Sequence, residues 1–99
     1  MNELLSKKEV KILLNHYSDW IYDDNKIERE VHFKRYMDSI EFVNALAIKA
    51  EQLNHHPSLF IGYCKVLVEL TSHDLGGVTV DCFELVKYIE SLVSDSHKK

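Results

Sequence analysis

Cysteine, proline and glycine are all scarce here: two, one and three residues in a chain of 99. Cys64 and Cys82, eighteen residues apart, make neither a disulfide framework nor a metal-knuckle spacing, and both are expected reduced and buried. So little proline and glycine excludes a linker rich in either, and 45% hydrophobic residues beside 28% charged ones exclude a disordered tract. No apolar run is long enough to span a bilayer, and Met1 to Val10 is too polar for a signal peptide, so a cytoplasmic chain is expected. Basic residues are the minority charge. Twelve Lys and Arg against sixteen Asp and Glu give −4, which argues against a broad grip on phosphates and so against nucleic acid as a direct partner. With no repeat and no linker, residues 1–99 make one domain, large enough for a single core without metals or disulfides as staples.

What is present is periodic. Ser6-Lys7-Lys8-Glu9 has capping-box spacing, and Val10, Leu13, Leu14 and Tyr17 follow as a helical apolar stripe with His16 off it. Trp20-Ile21-Tyr22, the turn chemistry of Asp23-Asp24-Asn25, and Ile27 to Tyr36 predict a hairpin. In its second strand Ile27, Val31 and Phe33 share a face, His32 lies on the charged face, and Arg29 interrupts the apolar one, at the sheet margin or paired with an acid. Asp38-Ser39-Ile40-Glu41 again has capping-box spacing, and Phe42, Val43, Leu46, Ala50 and Leu53 mark the main helix. Leu59 to Tyr63 and Lys65 to Ser72 predict two extended segments, with Gly62 suggesting a bulge or close approach instead of a clean two-residue turn. Gly76-Gly77 frees the backbone before Thr79 caps a last helix, whose buried stripe is Cys82, Leu85, Val86, Ile89 and Val93; Ser94 to Lys99 is a polar tail carrying a solvated His97. The order is α-β-β-α-β-β-α, an α+β fold: a four-stranded antiparallel sheet with three helices packed on one face.

The stretch Glu51-Gln52-Leu53-Asn54-His55-His56-Pro57 concentrates the chemistry. Pro57 lacks an amide donor and forces His56 away from helical torsions, so the main helix stops here. Two imidazoles are left where helix carbonyls favour the imidazolium form. Glu51, four residues before His55, is placed to orient or charge-stabilise that ring. A solvated turn would carry the same residues. If the main helix packs against the last strand, His73 approaches His55 and His56, and three imidazoles converge.

The element Glu51-x-x-x-His55-His56-Pro57, with sixteen residues before His73, resembles the pterin-4a-carbinolamine dehydratase family. Trp20, Phe33, Phe42, Ala50, Tyr63, Ser72-His73-Asp74, Gly77 and Asp81 extend the likeness over nearly the whole chain. Leu59, Ser72 and Ile61 depart from that family's usual aromatic, threonine and polar residues, which bears on how a flat ring is gripped. The resemblance implies dehydration of a 4a-hydroxytetrahydropterin, the 4a-carbinolamine, to the quinonoid dihydropterin, in support of tetrahydrobiopterin recycling, with no cofactor and no metal. It implies His55, His56 and His73 as catalytic residues and Glu51, Pro57, Ser72, Asp74 and Asp81 as substrate-binding or orienting ones. It also implies a homodimer or homotetramer. Physically, an acid must protonate the departing hydroxyl and a base must take a ring proton, and histidine does both near pH 7.

Two other readings use the same residues. Three histidines and an acid could hold zinc with an open position, although adjacent histidines seldom aim at one ion. A non-catalytic adaptor, such as a dimerisation cofactor of a transcription factor, is the alternative from another class; it has no need of all three imidazoles.

Overall fold

Asp24 and Asn25 both take left-handed torsions, φ 49° and 63°, and reverse the chain within two residues. That geometry matches the twist of the strands it joins. In the computed structural model, which describes the backbone of residues 2–97 and the side chains of 2–94, β1 (Ile21–Asp23) and β2 (Lys26–His32) pair antiparallel across this turn. β2 is shorter than the run to Tyr36 predicted. Arg35 is extended and α2 (Tyr36–Leu53) starts directly after it. Asp38 is therefore not the cap but an acid in the first turn, where the helix dipole favours it, and the Arg35 guanidinium donates to it at 2.7 Å.

The capping box at Ser6 forms as expected, with Glu9 N donating to Ser6 Oγ at 3.1 Å and Ser6 N to Glu9 Oε1 at 2.8 Å. It opens α1 (Lys7–Leu14), which stops at Asn15, short of Tyr17. Val10 is buried and Tyr17 packs its ring near Phe83, but Leu13 is exposed.

β3 (Ser58–Gly62) and β4 (Lys65–Leu70) are joined by a two-residue turn, Tyr63-Cys64, with Gly62 opposite Lys65; the expected bulge is absent. Cys64 carries the left-handed torsion, φ 57°, and is only half-buried, so it is not the core residue predicted. Gly62 has another use: a Cβ there would lie 3.3 Å from the Lys65 stem.

The sheet order is β1-β2-β4-β3, antiparallel throughout. Ile27 and Val31 on β2 and Val66, Val68 and Leu70 on β4 point to one side and are fully buried. Phe42, Leu46 and Ala50 of α2 and Cys82, Leu85, Val86 and Ile89 of α3 (Val80–His97) are buried in the same core. Each leucine-sized side chain so buried stabilises the fold by roughly 1.5–3 kcal/mol relative to exposure. Arg29 shares this face and is paired there with an acid, Glu90 of α3. The polar stretch from Ser94 continues α3 as helix to His97, whose side chain lies outside the described residues. Among the described residues the elements follow the predicted order, and no helix is long and apolar enough to cross a membrane.

The N-terminal segment adds a contact that periodicity does not reveal. Leu5 N donates to Val78 O at 2.9 Å and Val80 N to Glu3 O at 3.1 Å, tying the first residues to the start of α3.

Candidate active site

α2 ends one residue before the histidines. Asn54 is left-handed, φ 50° and ψ 44°, a role in which Asn is second only to Gly, and His55 N bonds back to Ala50 O at 3.0 Å. The break sends the two imidazoles in different directions. His55 turns inward and is 8% exposed, while His56 stays on the surface. Glu51 therefore does not meet His55, as helical spacing predicted; its carboxylate bonds the Nε2 side of His56. Pro57, half-buried and joined by a trans peptide, carries the chain from there into β3.

Burial also reverses the expected charge preference of His55. Loss of solvent pushes its pKa below the ordinary 6.5, helped by the nearby charges of His56 and His73 and opposed by the carboxylate of Asp81. The ring is thus neutral at pH 7. The same three charges show what surrounds it, since His56, His73 and Asp81 all lie close enough to act on it electrostatically.

His73 arrives on a tight turn after β4. Ser72 N donates to Gly77 O at 2.8 Å, Gly76 N to Ser72 O at 2.8 Å, and Leu75 N to the Ser72 hydroxyl at 3.2 Å. Gly76 supplies a left-handed torsion, φ 77°, and a Cβ on Gly77 would come within 3.0 Å of Leu4. Ser72 is buried, and its hydroxyl oxygen accepts from Leu75 N inside this turn. His73 and Asp74 are exposed on the turn, and Asp74 is not among the charges acting on His55. Asp81, in the first turn of α3, is half-buried and anchored through its amide, which donates to Asn2 Oδ1 at 3.0 Å.

One neighbour was missed. His55 Nε2 lies 3.1 Å from Cys82 Sγ in the buried interior. Periodicity places Cys82 only on the apolar stripe of α3, although its position three residues after the cap Thr79 is where a capping-box side chain sits. Thr79, placed as a cap, directs its amide and hydroxyl to that sulfur, at 3.4 and 3.5 Å.

A groove of about 560 Å³ opens elsewhere, lined by Asp19, Ile21, Arg29, Val31, Leu67 and Val93 among others, and none of the three imidazoles lines it. His56 and His73 are exposed, whereas His55 is buried. Among the described residues no three His, Cys, Asp or Glu side chains are arranged to hold a metal ion. The arrangement offers a buried ring biased to its neutral form, an exposed ring backed by a carboxylate, and a third exposed ring from another segment, groups able to give and take protons.

The chain is similar over most of its length to proteins of one family. The sequence model of the family described as pterin 4 alpha carbinolamine dehydratase matches residues 3–92. A protein of Picosynechococcus provisionally named pterin-4-alpha-carbinolamine dehydratase is 41% identical over 88 residues, covering 89% of this chain and 96% of its own. A Sulfolobus acidocaldarius protein with the same provisional name is 38% identical over 88 residues, 89% of this chain and 97% of its own. Among solved structures, one described as a transcriptional coactivator/pterin dehydratase from Brucella melitensis superposes with a TM-score of 0.88. It is 28% identical, over 92% of this chain and 99% of that one.

Proposed function

Because the chain belongs to the pterin 4 alpha carbinolamine dehydratase family, we propose that it is a single-domain, cytoplasmic hydro-lyase that converts a 4a-hydroxytetrahydropterin to the quinonoid dihydropterin, supporting tetrahydrobiopterin recycling. What supports this reading is that His56, His73 and Asp81, from three separate stretches of chain, all lie near enough to His55 to act on its charge. In the reaction the bond from C4a to its hydroxyl oxygen breaks. One histidine gives that oxygen a proton, so that it departs as water, and another takes the proton from the adjacent ring nitrogen, whose electron pair closes the C=N bond. One proton enters, one leaves, and no electrons are gained or lost, so the step itself calls for neither a redox cofactor nor a Lewis acid. The carboxylate of Glu51 occupies the Nε2 side of His56 and leaves Nδ1 to meet the substrate. Asp81 supplies negative charge beside His55, while Ser72, Asp74 and Pro57 shape the two segments that present the rings.

The test is to mix the protein with a freshly generated 4a-hydroxytetrahydropterin and follow absorbance. Loss of the carbinolamine well above its spontaneous rate is expected. A rate equal to that without protein would remove the catalytic reading.

The second reading, an adaptor for a transcription factor, is favoured by the coactivator description of the Brucella structure. β3 is an edge strand, Phe60, Ile61, Met37 and Ile48 are exposed, and the rings of Tyr36 and Tyr63 stack with centroids 6.4 Å apart. Edges and apolar patches of this kind are normally covered. A second copy of this chain, forming a homodimer or homotetramer, is the occupant we assign. Sedimentation at low micromolar concentration should show the assembly, and a monomer alone would end the assignment.

A further inference from the structure

The contact between His55 and Cys82 determines which way the buried imidazole is protonated. Cys82 Sγ has three polar neighbours: Thr79 N at 3.4 Å, Thr79 Oγ1 at 3.5 Å and His55 Nε2 at 3.1 Å. Thr79 and Cys82 are fully buried and His55 nearly so. The hydrogens can therefore be counted, because water does not intervene to absorb an error. The Thr79 amide can only donate, so the sulfur accepts from it. The Thr79 hydroxyl has no other hydrogen-bond partner among the described residues, and a buried hydroxyl hydrogen left unpaired costs roughly 1–3 kcal/mol. It too donates to the sulfur. The thiol hydrogen then has one acceptor left, Nε2 of His55. The opposite polarity, with Nε2–H donating to sulfur, leaves either the Thr79 hydroxyl hydrogen or the thiol hydrogen unpaired in the interior.

We infer that Cys82 is a positioning residue for His55: its thiol donates to Nε2, holds the ring's plane, and fixes the tautomer with hydrogen on Nδ1. Burial pushes the Cys82 thiol up and the His55 ring down, so the pair is a neutral thiol and a neutral imidazole around pH 7. Arg29 Nε is the one buried side-chain nitrogen or oxygen without a partner among the described residues, so Nδ1 of His55 keeps contact with solvent. His55 therefore meets a guest as a hydrogen donor, suited to hold the departing hydroxyl, while His56, with Glu51 on its Nε2, presents a lone pair at Nδ1. The role at the hydroxyl rests on the dehydratase reading; the tautomer does not.

Long-range 1H–15N correlation spectra of the imidazoles, recorded on the uniformly labelled full chain without substrate, separate the two tautomers. The native protein should show His55 protonated at Nδ1. Cys82→Ser, which keeps a donor, should retain that pattern and turn over within about threefold of the native rate; Cys82→Ala should lose the single tautomer and about tenfold in kcat, the worth of one ordinary hydrogen bond. Hydrogen on Nε2 in the native protein, or an unchanged tautomer in Cys82→Ala, would overturn the inference. A native protein with the Nδ1–H pattern and no turnover would instead sink the dehydratase reading and leave Cys82 with its place.

Discussion

Replacing His73 by alanine should lower carbinolamine turnover by roughly 10²-fold, and replacing His55 and His73 together by up to about 10⁴-fold, the range that general acid–base assistance spans. His73 is the cleaner variant. It is exposed on a turn whose hydrogen bonds are made by Ser72, Leu75, Gly76 and Gly77, so its side chain can be removed without touching them. The thermal midpoint should stay within about 4 °C, because surface substitutions away from such features change stability by less than about 0.5 kcal/mol. His55 is different, because truncating it opens a space beside Cys82 and leaves the thiol without its acceptor. A loss of activity in that variant must be read beside its melting curve. His16→Ala, an exposed histidine far from these elements in the chain, is the control and should keep native turnover. If His73→Ala turned over at the native rate, the convergence of charges on His55 would be a structural accident and the adaptor reading would take its place.

Why the fold was legible and the site only partly so comes down to how far each signal reaches. Alternation in β4 and the helical stripe of α3 are short-range patterns, and burial of Val66, Val68, Leu70, Leu85 and Ile89 follows them directly. The hairpin at Asp24-Asn25 was legible because those residue types tolerate left-handed torsions. Cys64 in the other hairpin was not, since nothing in a cysteine advertises φ 57°, and Gly62 drew attention to the wrong residue. At the histidines a single backbone torsion decided the outcome. Pro57 marks the end of α2 in the sequence, whereas Asn54 ends it earlier; with that shift Glu51 meets His56 instead of His55, and His55 is buried. Helical spacing cannot foresee a partner beyond the point where the helix has stopped. Cys82 was hidden for the opposite reason, because a cysteine on an apolar stripe looks complete without a polar contact, and only the packing of α3 beneath the end of α2 brings its sulfur to the ring.

The interruption of the apolar face by Arg29 leads to the largest stability effect expected. The Arg29 side chain is only 12% exposed; its guanidinium is paired with Glu90 of α3 and reaches Asp19 at 3.5 Å, and Trp20 Nε1 donates to the same Glu90 carboxylate at 3.3 Å. Asp19 is 68% exposed and holds little on its own. Removing Glu90 would leave a nearly buried cation with a weak, screened partner and an indole N–H with none. Breaking a fully buried pair costs about 3–5 kcal/mol; because Glu90 retains 28% exposure, about 2–3 kcal/mol is expected for Glu90→Ala. In a domain this size that lowers the thermal midpoint by roughly 10–20 °C. Removing both charges should behave differently. Among the described residues Arg29 Nε already lacks a partner in the interior, so Arg29→Met with Glu90→Leu relieves two desolvated groups at once and should recover most of the loss, to within about 1 kcal/mol of native. Urea unfolding of the two single variants and the double closes the cycle. Additive losses would mean that the two side chains contribute through packing alone, and that Arg29 sits on the helix-covered face without depending on its ion pair.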